Sequence, residues 1–235
     1  MILPGVTFDT KHSYNDYGLI LSSKTIAQPD VKTETVDVPG MDGALDLTES
    51  LGSVRYKNRK VEMKFSYPYT KISSWNDTTD RFANYLHGNY IDQIIFDDDK
   101  GWSYAGRCTI TEMSASKGIG TLKVQCDAQP YKTDTAVDAQ GRWLWDPFSF
   151  IDGVIYPGTI TVSGTKTVNL PNGGGKPVTP TFICSAAMTL TLNGTSYTLG
   201  AGTAKDYDIQ LNAGDNSAVF KGTGVVQIIY QRISL

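Results

Sequence analysis

The stretch from Ile160 to Arg232 breaks into seven short runs rich in threonine and apolar residues, separated by Gly, Asn and Asp. The runs are Ile160–Val168, Pro180–Cys184, Met188–Leu192, Ser196–Leu199, Asp206–Leu211, Ser217–Phe220 and Val225–Arg232. Strand-length runs broken every ~8–12 residues by turn formers favour a small antiparallel sandwich or barrel over any helical packing. Asn193-Gly194 adds a two-residue hairpin signal, because both residues tolerate the positive φ that such a turn requires.

The first half reads differently. Val61, Met63, Phe65 and Tyr67 alternate with Glu62, Lys64 and Ser66, which predicts a half-buried strand. Ile72, Trp75, Thr79, Phe82 and Leu86 follow at spacings of three and four, which predicts one helix with a single apolar stripe. Thr70 or Ser73 is expected to cap its start, and Gly88 to end it. Strands are expected at Tyr90–Phe96 and Tyr104–Glu112. The latter should form a long hairpin with the Leu122, Val124, Cys126 alternation across a turn at 114–120.

Charge separates the halves. Residues 1–130 hold 14 Lys+Arg and 17 Asp+Glu, whereas residues 131–235 hold 7 and 7 together with 13 of the 23 glycines. With Ala128-Gln129-Pro130-Tyr131 as a polar, proline-bearing join, domains are expected at 1–132 and 133–235. A net charge of −3 gives no general attraction to nucleic acid or anionic lipid. No apolar run approaches the ~18–20 residues of a membrane-spanning helix. The start, Met1-Ile2-Leu3-Pro4-Gly5, lacks the basic head and apolar stretch of a secretory signal. Three cysteines, Cys108, Cys126 and Cys184, form no even set and no CxxC, so they are expected to be unpaired in a reducing cytoplasm.

Several motifs carry chemistry in other proteins. Asn172-Gly173-Gly174-Gly175-Lys176 lacks the Ser or Thr that a phosphate loop places after its lysine, and reads as a turn. Asp97-Asp98-Asp99 opens like a calcium loop, but the twelfth position is Cys108 where a bidentate Glu is needed. Asp206 and Asp208 would share a strand face, and solvated surface explains such a pair more simply than glycoside hydrolysis does. Trp143 and Trp145 are candidate sugar contacts, since flat aromatics on a β-sandwich can stack on sugar rings; packing is the competing fate. No catalytic, cofactor or metal residues are assigned.

The order of Val36-Asp37-Val38-Pro39-Gly40-Met41-Asp42-Gly43, then Tyr56-Lys57-Asn58-Arg59, then the Trp75/Phe82 helix, Phe96-Asp97-Asp98-Asp99, Tyr104-x-Gly106-Arg107 and Gln129-Pro130-Tyr131 is similar to the N-terminal domain of the siphophage distal tail protein (Dit) family. The resemblance implies a mainly β chain. Its N-terminal ring-forming domain would be a β-sandwich with one α-helix and a long hairpin arm, and its C-terminal domain a small galectin-like sandwich. It also implies a non-enzymatic hub that forms a homohexameric ring at the phage tail tip, assembled in the host cytoplasm. Implied partners are the tail tube protein, a tail-associated lysin or tip protein and a receptor-binding protein, with DNA only in transit and no membrane.

Two segments suit the heterologous contacts of such a ring: the loop at 39–53, with Met41, Asp42, Leu45, Leu47 and Leu51 as inter-subunit candidates, and the hairpin around 108–126. A carbohydrate-binding adhesin module is the alternative reading.

Overall fold

The computed structural model describes residues 4–50, 52–136, 144 and 155–235. Two compact units emerge: 1–99 with 104–131 and Leu235, and 100–103 with 132–234. Among the described residues, no helix is long and apolar enough to cross a membrane.

The first unit contains β1 (Val6–Phe8), β2 (Lys11–His12), α1 (Ser13–Tyr17), β3 (Ile20–Ile26), β4 (Thr35–Asp37), β5 (Ala44–Asp46), β6 (Arg59–Pro68), α2 (Ile72–Leu86), β7 (Tyr90–Phe96), β8 (Asp99–Ser116) and β9 (Ile119–Ala128). Its main sheet runs β2-β1-β7-β8-β9-β6-β3. Four strand steps separate β1 from β6, about 19 Å if the sheet were flat. Yet Phe8 of β1 and Phe65 of β6 have ring centroids 6.4 Å apart, so the sheet curls back on its own apolar face. Phe82 of α2 fills the fold, edge-on to Phe8 at 5.9 Å and to Phe65 at 6.0 Å. The predicted helix is present and buries Trp75, Thr78, Thr79, Phe82 and Leu86. Ile72, the first residue of the expected stripe, is 53% exposed, because it stands at the fraying N-terminus. Neither Thr70 nor Ser73 caps it: the N-cap is Lys71, whose side chain makes no capping bond. Gly88 follows the C-cap at φ +80°.

The expectation of three free cysteines is corrected. Cys108 and Cys126 form a disulfide, and only Cys184 is free, buried in the second unit. The cause lies in register. The turn at Lys117-Gly118 pairs Ser116 with Ile119, and regular counting from there would set Cys126 opposite Thr109. A one-residue bulge between Ile110 and Glu112 shifts the pairing, so that Cys108 faces Cys126. A one-residue slip moves a side chain to the other sheet face, and here it brings two sulfurs together.

Deeper along the same hairpin, Gly106 faces Ala128, and a Cβ built on it would lie 2.5 Å from both Ala128 Cα and Asp127 O. Both neighbours are backbone and cannot swing aside. Gly106→Ala is expected to destabilise the first unit by about 2–3 kcal/mol. The check is urea unfolding, which should show a lower midpoint at unchanged slope.

The second unit contains β10 (Lys132–Asp134), β11 (Thr159–Asn169), β12 (Thr181–Cys184), β13 (Met188–Leu192), β14 (Thr195–Leu199), β15 (Gly202–Lys205), β16 (Ser217–Ile229) and β17 (Ile233–Ser234). One sheet runs β14-β13-β16-β12-β15, with β11 along the other side of β16. Asn193 and Gly194 make the expected turn, at φ 49° and 93°. Two expectations change. Asp206–Leu211 is not a full strand: Asp206 Oδ1 accepts the Asp208 N–H in a tight turn, so the two carboxylates share no strand face. Ser217–Phe220 and Val225–Arg232 are largely one strand, β16, which continues through Gly222 and Gly224 at φ 148° and 155°. The chain between β12 and β13 crosses there. A Cβ on Gly222 would lie 3.0 Å from Met188 Cβ, and one on Gly224 2.7 Å from Ser185 Oγ. These glycines therefore act as a crossing point rather than as a break.

A buried ion pair closes this unit. Arg232 Nε donates to Asp134 Oδ2 at 2.5 Å, with the two side chains 4% and 1% exposed. Asp134 also accepts the Ala136 N–H at 2.7 Å, and Tyr156 hydroxyl accepts the Arg232 N–H at 3.3 Å. Burial, reinforced by the Asp134 carboxylate, pushes the Tyr156 phenol up to about 12. The Arg232 guanidinium lies over the Trp102 ring at 4.8 Å. Strands β10 and β17 pair directly alongside, Lys132 with Ser234 and Thr133 with Ile233.

Candidate assembly site

Between β3 and β6 the chain makes a long excursion. Its base is closed by a bridge between Val31 and Tyr56, flanked by Lys32 N–H to Arg55 O at 2.9 Å and Lys57 N–H to Asp30 O at 2.8 Å. Tyr56 meets Tyr131 edge-to-face at 6.0 Å beneath this stem. Beyond it, β4 and β5 pair as a two-stranded ribbon, with Thr35 opposite Asp46, Val36 opposite Leu45 and Asp37 opposite Ala44. We refer to residues 31–56 as the arm.

Residues directly opposite each other in a ladder share a face, and residues two apart along a strand do so as well. The ribbon therefore carries Val36, Val38 and Leu45 on one side, and Asp37, Asp46, Thr35 and Ala44 on the other. Every described residue from Asp30 to Asp46 is exposed, and Val36, Val38, Met41 and Leu45 retain 40–47% of their surface. A ribbon with one apolar face is stable in water only when that face is covered. On the acidic face, Asp46 is held in its charged form. Asp46 Oδ1 accepts the Thr48 N–H at 2.8 Å, and hydrogen bonds from the Thr48 hydroxyl and N–H hold its carboxyl below the usual range. Residues 33–50 contain Glu34, Asp37, Asp42, Asp46 and Glu49 and no Lys or Arg.

Of the arm candidates read from sequence, Leu45 lies on the apolar face. Met41 and Asp42 form the exposed tip, and Leu47 is half-buried nearer the stem. Leu51 lies outside the described residues, as do Trp143 and Trp145. Val36 and Val38 were missed, although the alternation Val36-Asp37-Val38 facing Ala44-Leu45-Asp46 was visible once the two strands were taken as partners. The second candidate segment, 108–126, stays within the main sheet: β9 pairs with β6 from Arg59–Ala128 to Pro68–Ile119. Only its far end is open, where Met113 and Ile119 are 52% and 54% exposed.

The polar motifs have ordinary occupations. Asp97 accepts the Gly5 N–H at 2.8 Å and lies 3.1 Å from His12 Nε2, while Asp98 pairs with Lys24 Nζ at 2.5 Å. Asn172 is buried. It donates to Lys176 O and Leu211 O and accepts the Gly174 N–H, so it shapes the glycine-rich turn from within.

A curled sheet packed on one helix, an amphipathic ribbon projecting from it and an all-β second unit make up a fold seen in solved structures. Among these is SPP1 Dit, described as a paradigm of the hub adsorption apparatus in phages infecting Gram-positive hosts. The likeness covers 100% of both chains at a TM-score of 0.66 with 14% identity, and at that identity it establishes the fold. No family model and no curated protein sequence matches this chain.

Proposed function

We propose that this protein is a non-enzymatic hub at the tip of a phage tail. Six copies close into a ring, and the second unit presents docking surfaces to the adsorption machinery. The carrying observation is the arm: an exposed ribbon whose Val36–Val38–Leu45 face has no cover among the described residues. A full-length fold shared with SPP1 Dit supports the tail-tip reading. The mechanism is positional. Each arm grips the next copy by a patch unlike itself, and head-to-tail contacts of that kind generate rings when the rotation closes. DNA passes through the ring during infection, while the tail tube, tip and receptor-binding proteins attach around it.

Light scattering with negative-stain imaging of the same fraction tests this. The expected mass is six times 25.6 kDa, with particles showing a central hole. A monomer both in solution and when supplied with tail tubes would sink the reading.

A further inference from the structure

We propose that Arg59 holds a small inorganic anion, of chloride size, inside the first unit. This site is independent of the ring.

Strand β6 sets the position. Arg59, Val61, Met63 and Phe65 are its alternate, core-facing residues, and all four are 2% exposed or less. A guanidinium thus stands where the alternation calls for an apolar side chain. Its partner across the ladder with β9 is Ala128, which is fully buried and carries no counter-charge. The guanidinium lies over the buried Tyr104 ring, with Cζ 5.6 Å from the centroid.

The donors point to the ligand. Arg59 Nε and Nη2 are buried and have no hydrogen-bond partner, and among the described residues they are the only buried side-chain polar atoms in this condition. These two N–H groups lie side by side on one edge of the guanidinium, the edge with which arginine grips an anion bidentately. The nearby acids are committed elsewhere. Asp127 stands opposite Lys60, on the other face of the sheet, and accepts from Asn58 Nδ2 at 3.2 Å. Asp97 takes the Gly5 N–H and Asp98 pairs with Lys24. The contrast is Arg232, equally buried, which has Asp134 as its carboxylate.

Charge decides between occupants. Burial pulls the Arg59 guanidinium below its ordinary range, and Tyr104 only partly opposes this. The group nonetheless keeps its proton, as arginine does in proteins. A water would take both N–H groups and leave the charge unbalanced, whereas an anion satisfies donors and charge together. A carboxylate borne on another chain would have to bring its stem through a closed surface, so a free ion fits better.

Two readouts on the full chain test the site. Crystals grown in sodium bromide should show an anomalous bromine peak in line with Arg59 Nε and Nη2. In solution, chloride replaces isethionate at constant ionic strength while urea unfolding is followed. For a dissociation constant of ~10 mM, 0.1 M chloride should shift the parent's unfolding equilibrium by about 11-fold. Arg59→Met should show no such shift. A water on the Arg59 edge, or bromine only at surface residues (an adventitious ion only), overturns the proposal. So does an equal chloride effect in parent and variant. A peak at Arg59 without any chloride dependence means binding at crystal concentration only and also overturns it. If Arg59→Met does not fold, the anomalous map and the parent's chloride titration still decide.

Discussion

A chain in which residues 33–54 are replaced by Asn-Gly should remain folded and lose the proposed ring. The splice suits the geometry, because Lys32 and Arg55 are already a hydrogen-bonded pair, the position that a two-residue turn closes. No described residue from 33 to 54 is buried, so the core keeps its contacts. Shortening the loop lowers its closure entropy by about 1–2 kcal/mol, which should hold the melting temperature level or raise it. Assembly behaves differently. Val36, Val38 and Leu45 are each about half exposed, so covering the rest of their surface contributes roughly 2–4 kcal/mol per contact. That is about 30- to 1,000-fold in each association constant, and it recurs at every interface of the proposed ring. Sedimentation of the deletion should show monomers at concentrations where the parent is assembled. A ring of unchanged mass would remove the arm from the assembly mechanism.

Arg232→Met should be the most damaging single change in the second unit. It leaves the Asp134 carboxylate buried at 1% exposure without its cation, a situation that typically costs about 3–5 kcal/mol. Met keeps the stem that packs over Trp102, so the loss reports the charge more than the volume. Adding Asp134→Asn should recover much of the loss, because an unpaired charge is worse than no pair. Urea unfolding followed by tryptophan fluorescence would read both variants. If the double variant is as unstable as the sum of the singles, the ion pair is not the unit that matters.

Legibility in the sequence tracked how local each feature is. The helix was readable because its stripe repeats within one segment, and the Asn193-Gly194 turn because two adjacent residues specify it. The missed features depend on pairing between distant segments. Cys108 and Cys126 face each other only because of the bulge after Ile110, which nothing in the local composition marks. Gly222 and Gly224 look like strand breakers, and their true role appears only when the corner at Ser185–Met188 is laid across them. The arm was half legible. Its turn residues signalled an excursion, but its apolar face required the Val36–Leu45 register. The Arg232–Asp134 pair joins residues 98 positions apart, beyond the reach of any pattern.

The ladder between β10 and β17 brings the ends of the second unit together. With Lys132 opposite Ser234, its first and last strands lie side by side, about 5 Å apart, like the two sides of a clasp. The chain therefore enters and leaves this unit at neighbouring points, with residues 100–103 completing it. Within it, β10 lies against Trp102 and Ser103. A change of length between residues 134 and 232 would therefore leave the points at which the chain enters and leaves the unit where they are.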